Sequence, residues 1–244
     1  MSSKEWFADW FDTPYYHILY KNRNDEEAAH FIENLIEFIQ LDLGSRVLDL
    51  ACGKGRHSVT LNKLGYNVLG VDLSVNSIER AKPFEKEGLK FAVHDMRQVI
   101  DGEKFDAIFN LFTSFGYFDS IEDNLDVIRS IHTMLIKNGY LVIDFMNAEK
   151  VISNLVLTEV KTVDGITFNI ERKYDGKHIF KNIRFEADGQ IHHYTERVQA
   201  LKLDDFEQLL NETGFAIIRI FGDFSLNAYD AKTSDRLIIT AKKL

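Results

Sequence analysis

Val47-Leu48-Asp49-Leu50-Ala51-Cys52-Gly53-Lys54-Gly55-Arg56-His57 is an apolar run that stops at two closely spaced glycines and passes straight into a helical stretch lasting to Gly65. Short apolar runs bounded by turn residues read as buried strands. Gly53 and Gly55 let the backbone turn sharply, and they leave open a volume that a side chain would take from a ligand. Working outward, the alternation repeats. A second strand over 67–73 ends in Val71-Asp72-Leu73 and precedes a helix over 74–87. A third, 89–93, closes at His94-Asp95-Met96; a fourth spans 105–112, then come a helix over 123–136 and a fifth strand over 139–145. Upstream, a helix begins near Asn24, with Asn24 and Glu27 at capping-box spacing and Ala28, Phe31, Ile32, Leu35, Ile36 and Ile39 on one face. Five strands separated by helix-length segments predict a parallel sheet with helices on both faces, whose ligands bind at the carboxyl ends of the strands.

From about 157 to 203 the hydrophobic period changes to two. The pairs Asp164-Gly165, Asp175-Gly176 and Asp188-Gly189 punctuate it. Asp-Gly between β-prone runs favours tight hairpins, because both central residues tolerate positive φ. An antiparallel meander of three or four strands follows, with one face packed and one wet. Then come a helix over 204–213, ending at Gly214, and two last strands over 215–221 and 236–242. The predicted fold is therefore α/β: a Rossmann-like, seven-stranded, mostly parallel sheet with helices on both faces, plus an inserted antiparallel β-meander. Residues 1–155 and 204–244 form its core and 156–203 the insert.

Composition narrows the class. The chain has 244 residues, 45% of them hydrophobic, which is ample for a sizeable core. One cysteine, Cys52, excludes an intramolecular disulfide and a cysteine-built zinc site, and fits a reducing compartment. His192 and His193 are adjacent on a strand, so they point to opposite faces and cannot chelate one metal. No metal is expected. The first eleven residues carry acids and aromatics where a signal peptide has a basic patch and an apolar run, and no stretch approaches the roughly 18 apolar residues of a membrane span. A cytoplasmic protein without a membrane partner is the expectation. A net charge of -9 argues against DNA and other phosphate backbones.

The acids give the site a shape. Asp49 precedes the glycine turn. Asp72 ends the second strand, where a carboxylate can accept hydrogen bonds from both hydroxyls of a ribose. Asp95 ends the third, where it can accept from an exocyclic amine while Met96 packs on a base. Three acids on adjacent strands describe a nucleoside-shaped crevice.

Those residues resemble the class I S-adenosylmethionine-dependent methyltransferases. The likeness runs through Leu48-Asp49-Leu50-Ala51-Cys52-Gly53-Lys54-Gly55, Gly70-Val71-Asp72-Leu73-Ser74, His94-Asp95-Met96, Phe105-Asp106-Ala107-Ile108 and Gly139-Tyr140-Leu141-Val142-Ile143-Asp144, over roughly residues 40–146. The resemblance implies S-adenosyl-L-methionine as cofactor and S-adenosyl-L-homocysteine as product. It places Ala51, Gly53 and Gly55 along the methionine portion, with Asp49 holding the ammonium directly or through water. Asp72 takes the ribose and Leu73 lies against the adenine, while Asp95 meets the adenine amine and Met96 its ring. Asn110 and Leu111 border the sulfonium. Arg56 and His57 follow the loop as in a Cys-Gly-x-Gly-Arg-His subgroup, where they face the cofactor carboxylate or the substrate. The pair Tyr15-Tyr16 can form a lid. Methyl transfer from a sulfonium is an in-line displacement that needs alignment more than a catalytic residue, and no catalytic residue is assigned.

The acceptor side is read from the residues left over. Thr113, Ser114, Phe115 and Tyr117 follow the fourth strand, and Arg172, Tyr194, Arg197, Tyr229 and Arg236 are further candidates for contact with a small-molecule acceptor. The insert is expected to fold over that site. The protein is expected to be a monomer or homodimer. Two rival functions remain at this level. One is a cofactor-binding regulatory protein without turnover. The other is an NAD-dependent oxidoreductase, against which Ser58 stands where the third glycine of Gly-x-Gly-x-x-Gly would be.

Overall fold

The computed structural model describes residues 10–21 and 25–244. The expected cap at Asn24 lies outside the described residues. The elements run α1 (Pro14–Leu19), α2 (Asp25–Ile39), β1 (Arg46–Leu50), α3 (Arg56–Lys63), β2 (Asn67–Asp72), α4 (Val75–Ala81), β3 (Leu89–Val93), β4 (Phe105–Asn110), α5 (Ile121–Met134), β5 (Leu135–Met146) and α6 (Ala148–Ser153). They continue with β6 (Thr158–Val163), β7 (Ile166–Tyr174), β8 (His178–Ala187), β9 (Gln190–Gln199), α7 (Leu203–Glu212), β10 (Phe215–Phe221) and β11 (Arg236–Lys243).

The seven-stranded sheet has the order β3-β2-β1-β4-β5-β11-β10. Neighbours from β3 to β5 are parallel, and β11 runs opposite to both of its neighbours. The chain winds outward from β1 through β2 to β3, then returns to start β4 on the other side of β1. That reversal opens a crevice at the carboxyl ends of β1 and β4.

Alternation along the strands loads both faces. Val47, Val68, Ala107, Phe109 and Val142 point to one side, under Phe31, Ile32 and Leu35 of α2 and Leu61 of α3. Leu48, Leu50, Ile108, Leu141 and Ile143 point to the other, against Val127, Ile128 and Ile131 of α5 and Phe206 and Leu210 of α7. Strands covered on both faces read as continuous apolar runs, which is why their positions are plain in the sequence.

Several boundaries differ from expectation, three of them by more than a turn or a strand end. The helix predicted over 74–87 stops at Ala81, because Pro83 has no N–H to continue it, and 82–84 tighten into a 3-10 turn. The helix-length segment 94–104 between β3 and β4 holds turns and no helix. The fifth strand begins at Leu135, which pairs with Phe105 before the register slips and Ala107 meets Tyr140.

The meander has four strands, β6-β7-β8-β9, all antiparallel. Its apolar face, with Phe168, Ile170, Ile183 and Phe185, is covered by Trp10, Leu19 and the aromatics of α1. Thr13 caps α1 and Pro14 opens it, so Tyr15 and Tyr16 lie within a helix, not ahead of the first one. Gln199, at the end of β9, is buried and locks the meander to the rest: its amide donates to Phe118 O at 2.8 Å and accepts from Asn124 Nδ2 at 2.7 Å.

Candidate active site

A cavity of about 820 Å³ opens at the carboxyl ends of β1, β2, β3 and β4, beneath the segment 11–21. The glycine loop forms its floor. Ala51, Gly53 and Gly55 all have positive φ, at 65, 56 and 80°. A Cβ built on Gly53 meets no atom within 4 Å, so this glycine leaves open space beside the cavity. Gly55 is different. Its Cβ would come within 2.5 Å of the Phe91 ring, so a side chain is excluded there by helix–sheet packing rather than by a ligand.

Asp72 accepts from Gly53 N through Oδ2 and from Ser74 N through Oδ1, both at 2.8 Å. Each oxygen keeps a lone pair for another donor. Burial raises the Asp72 carboxyl above its ordinary value despite these N–H donors. Asp95 also lines the cavity. Burial pushes it up, but the Arg97 side chain and N–H outweigh that and hold the carboxyl below the usual range. Arg97 uses most of its acceptor capacity, leaving about one direction for an amine.

Asp49 does not reach the cavity. It is 1% exposed, accepts from Ser58 Oγ at 2.5 Å, and its carboxyl is pushed up to about 6 by burial. Its place mid-strand in β1 sets it behind the loop. Asn110 is likewise buried: Nδ2 donates to Leu50 O at 2.9 Å, while Oδ1 is a buried acceptor without a hydrogen-bond partner. Burial pushes the Cys52 thiol well up, away from the thiolate form that a nucleophile needs.

The wall after β4 is strained. Phe112 and Thr113 are consecutive non-glycine residues at φ 66 and 58°. Asp144 on β5 holds them, accepting from Phe112 N through Oδ2 and from Thr113 N through its carbonyl, both at 2.9 Å. Arg236 on β11 donates to Asp144 Oδ1 at 2.7 Å and to Thr113 Oγ1 at 2.9 Å.

The structure thus brings together Ala51, Gly53, Gly55, Arg56, Asp72, Leu73, Asp95, Met96, Leu111, Tyr16 and Tyr117 around one cavity. Thr113 and Ser114 line it too. Phe115 is fully buried against Phe206 instead. The other acceptor candidates lie outside the lining. Arg172 pairs with Glu159 on the meander, Tyr194 stacks on Phe185 and packs tilted against Trp10, and Tyr229 donates to Asn147. Arg197 pairs with Asp119. Arg236 acts on the wall through Thr113. Each ties its own element to a neighbouring one, a use that residue type alone does not separate from ligand contact. Tyr15 turns away from the cavity to donate to Asp188 at 2.6 Å.

Sequence reading missed Phe11, His17, Tyr20, Lys21 and Phe112, and also a groove beside α3 and α4. There Arg56, Thr60 and Lys63 recur at helical spacing, as do Ser77, Arg80 and Phe84. That periodicity is the signal that finds them.

A family model for a methyltransferase domain matches residues 20–220. The chain belongs to the class I S-adenosylmethionine-dependent methyltransferases. It is 31% identical over 230 residues to a glycine/sarcosine N-methyltransferase of Aphanothece halophytica, covering 91% of this chain and 83% of that one. A glycine/sarcosine N-methyltransferase of Halorhodospira halochloris is 30% identical, over 86% of this chain and 78% of the relative. Among solved structures, an S-adenosylmethionine-dependent methyltransferase of Clostridium acetobutylicum superposes with a TM-score of 0.80 at 20% identity, covering 94% and 96% of the two chains. An amino pentose methyltransferase of Micromonospora echinaspora does so at 0.72 and 17%, covering 95% and 98%. Among the described residues no helix is long and apolar enough to cross a membrane.

Proposed function

We propose that this methyltransferase acts on an amine nitrogen of a small molecule. The observation that carries the reading is the cavity beneath the aromatic segment. At about 820 Å³ it lies toward the upper end of the roughly 300–1,000 Å³ range of small-molecule sites, room for an adenosyl cofactor and a compact acceptor together. Phe11, Tyr16, Tyr20 and Tyr117 supply aromatic walls, which suit a cationic amine. The relatives named for glycine and sarcosine support nitrogen as the nucleophile.

The residues present fit S-adenosylmethionine. Asp72 keeps lone pairs for ribose hydroxyls, Leu73 and Met96 offer apolar contact to a base, and Gly53 leaves space for the methionine portion beside Ala51 and Arg56. Asp95 has one acceptor direction for the adenine amine, and Leu111 borders the sulfur end. Asp49 and Asn110 act from behind the wall, Asp49 through Ser58 and Asn110 through Leu50. Bound there, the cofactor supplies a methyl group already activated on sulfur. The chain then has to hold the acceptor nitrogen in line and keep water out. Asp12 helps close the roof: it accepts from Ser74 Oγ at 2.6 Å and Asn76 Nδ2 at 2.7 Å, beside Asp72.

The reading also includes a small-molecule partner rather than DNA, in keeping with the net charge of -9, a monomer or homodimer, and a cytoplasmic setting that a single cysteine suits. Incubating the protein with methyl-labelled S-adenosylmethionine and glycine, sarcosine or glucosamine tests it. Label is expected on nitrogen of at least one amine. Label on none, with transfer to a phenol or carbon acid instead, contradicts it.

A further inference from the structure

The roof of the cavity contains a polar cluster that cofactor binding does not explain. Tyr20, in the cavity wall, donates to the Glu196 carboxylate, whose oxygens are both 2.8 Å from the phenol. Lys181 Nζ donates to the same phenol oxygen at 2.5 Å and lies 4.5 Å from the ring centroid. Trp10 Nε1 fixes the carboxylate from behind, donating to Oε1 at 2.7 Å. Glu196 and Lys181 are only 17% and 16% exposed in their side chains. Burying two charges costs several kcal/mol per ion before their attraction is counted, so a cluster like this is poor economy as mere glue.

An amine acceptor arrives mostly as an ammonium and has no lone pair until it loses a proton. The cavity's own carboxylates are committed, Asp72 to Gly53 and Ser74 and Asp95 to Arg97. We propose that Tyr20 removes that proton and passes its own to Glu196. In this step an ammonium N–H bond breaks as an O–H bond forms on Tyr20. The original phenolic O–H breaks as one forms on Glu196, and the electron pair left on nitrogen becomes the nucleophile. Glu196 then sheds the proton to water along its exposed edge. Tyr20 is the catalytic residue; Glu196 and Lys181 act through it.

Burial, with Glu196 beside it, holds the Tyr20 phenol well above its ordinary value, so the neutral phenol is the resting form. Burial also holds the Lys181 ammonium below its own. The other charged or titratable groups facing this cluster are Tyr16 of α1 and Tyr117 after β4 toward Tyr20, and Glu159, Lys161 and Arg172 of the meander toward Lys181. His17 shares the cavity wall.

The inference rests on the amine reading, and its test separates the two. Wild type, Tyr20→Phe and Glu196→Gln are compared on glycine, sarcosine and glucosamine across pH. Both variants are expected to lose kcat at neutral pH by on the order of 100-fold, with the deficit shrinking as the amine becomes deprotonated in solution. In calorimetry of the S-adenosylhomocysteine complex, using two buffers of different ionisation heat, wild type should release a proton on binding the amine. The variants should bind it without release. A deficit equal at every pH, or proton release unchanged by either substitution, overturns the relay while leaving the amine reading intact. Wild type that methylates no amine overturns that reading and the relay with it.

Discussion

At the glycine loop and just behind it, the carboxylates find their partners close by in the chain: Asp72 takes N–H groups 19 and 2 residues away, and Asp49 a hydroxyl 9 residues away. In the roof, Glu196 is held by Tyr20 and Trp10, 176 and 186 residues away, and Asp188 and Asp164 by Tyr15 and Lys21 across similar spans. The floor is therefore assembled by local turns on a sheet that the core holds rigid. The roof exists only once residues 10–21 lie on the meander. On the proposed reading, the floor is a fixed berth for the cofactor and the roof a separately assembled cover for the acceptor.

Phe168→Ala should separate the halves most sharply. The ring is fully buried between the meander and the N-terminal segment, so its loss should cost about 3–5 kcal/mol in denaturant unfolding. Affinity for S-adenosylhomocysteine should fall by less than about tenfold, or 1.4 kcal/mol, because the floor survives. An affinity loss as large as the stability loss would show the two to be one unit. On the floor, Asp49 gives a pH signature. A carboxyl raised from 3.8 to about 6 by burial binds its proton more tightly folded than unfolded. Its contribution to stability therefore falls as pH rises through that window, by about 3 kcal/mol in all, and then levels off. Urea unfolding of wild type and Asp49→Asn across the window should show wild type losing that amount relative to the variant, because the other shifted carboxyls are common to both. Asp72→Ala should weaken S-adenosylhomocysteine binding by about 1.5–3 kcal/mol in calorimetry through lost charge-assisted hydrogen bonds. At the small end, Lys21→Ala breaks an exposed pair with Asp164 at the roof's edge and should leave the unfolding midpoint unchanged.

The same contrast explains what could be read from residues alone. The strands 89–93 and 215–221 end where their apolar runs end, and the acids at 72 and 95 stand where the loops meet the cavity. Local chemistry decides those features. Pro83 carried a local signal as well, and so did Thr13-Pro14 at the start of α1; each is sufficient to place its helix boundary. Tyr20, Glu196 and Lys181 carry none. Their meeting depends on which face of a long meander turns inward and on a segment nearly 180 residues away, and period-two alternation leaves both open. Arg172 and Tyr194 on the meander, and Tyr229 in the β10–β11 connection, fail as cavity residues for a related reason, since arginine and tyrosine serve packing and ligand contact equally well.

The central claim is that the strand-end floor is the cofactor's berth, and a crystal structure of the complex with S-adenosylhomocysteine tests it most directly. The ribose hydroxyls should lie on the Asp72 carboxylate, with the sulfur turned toward the Phe112–Thr113 wall beneath Tyr20. A nucleoside bound elsewhere, with Asp72 touching only Gly53 and Ser74, would contradict the account.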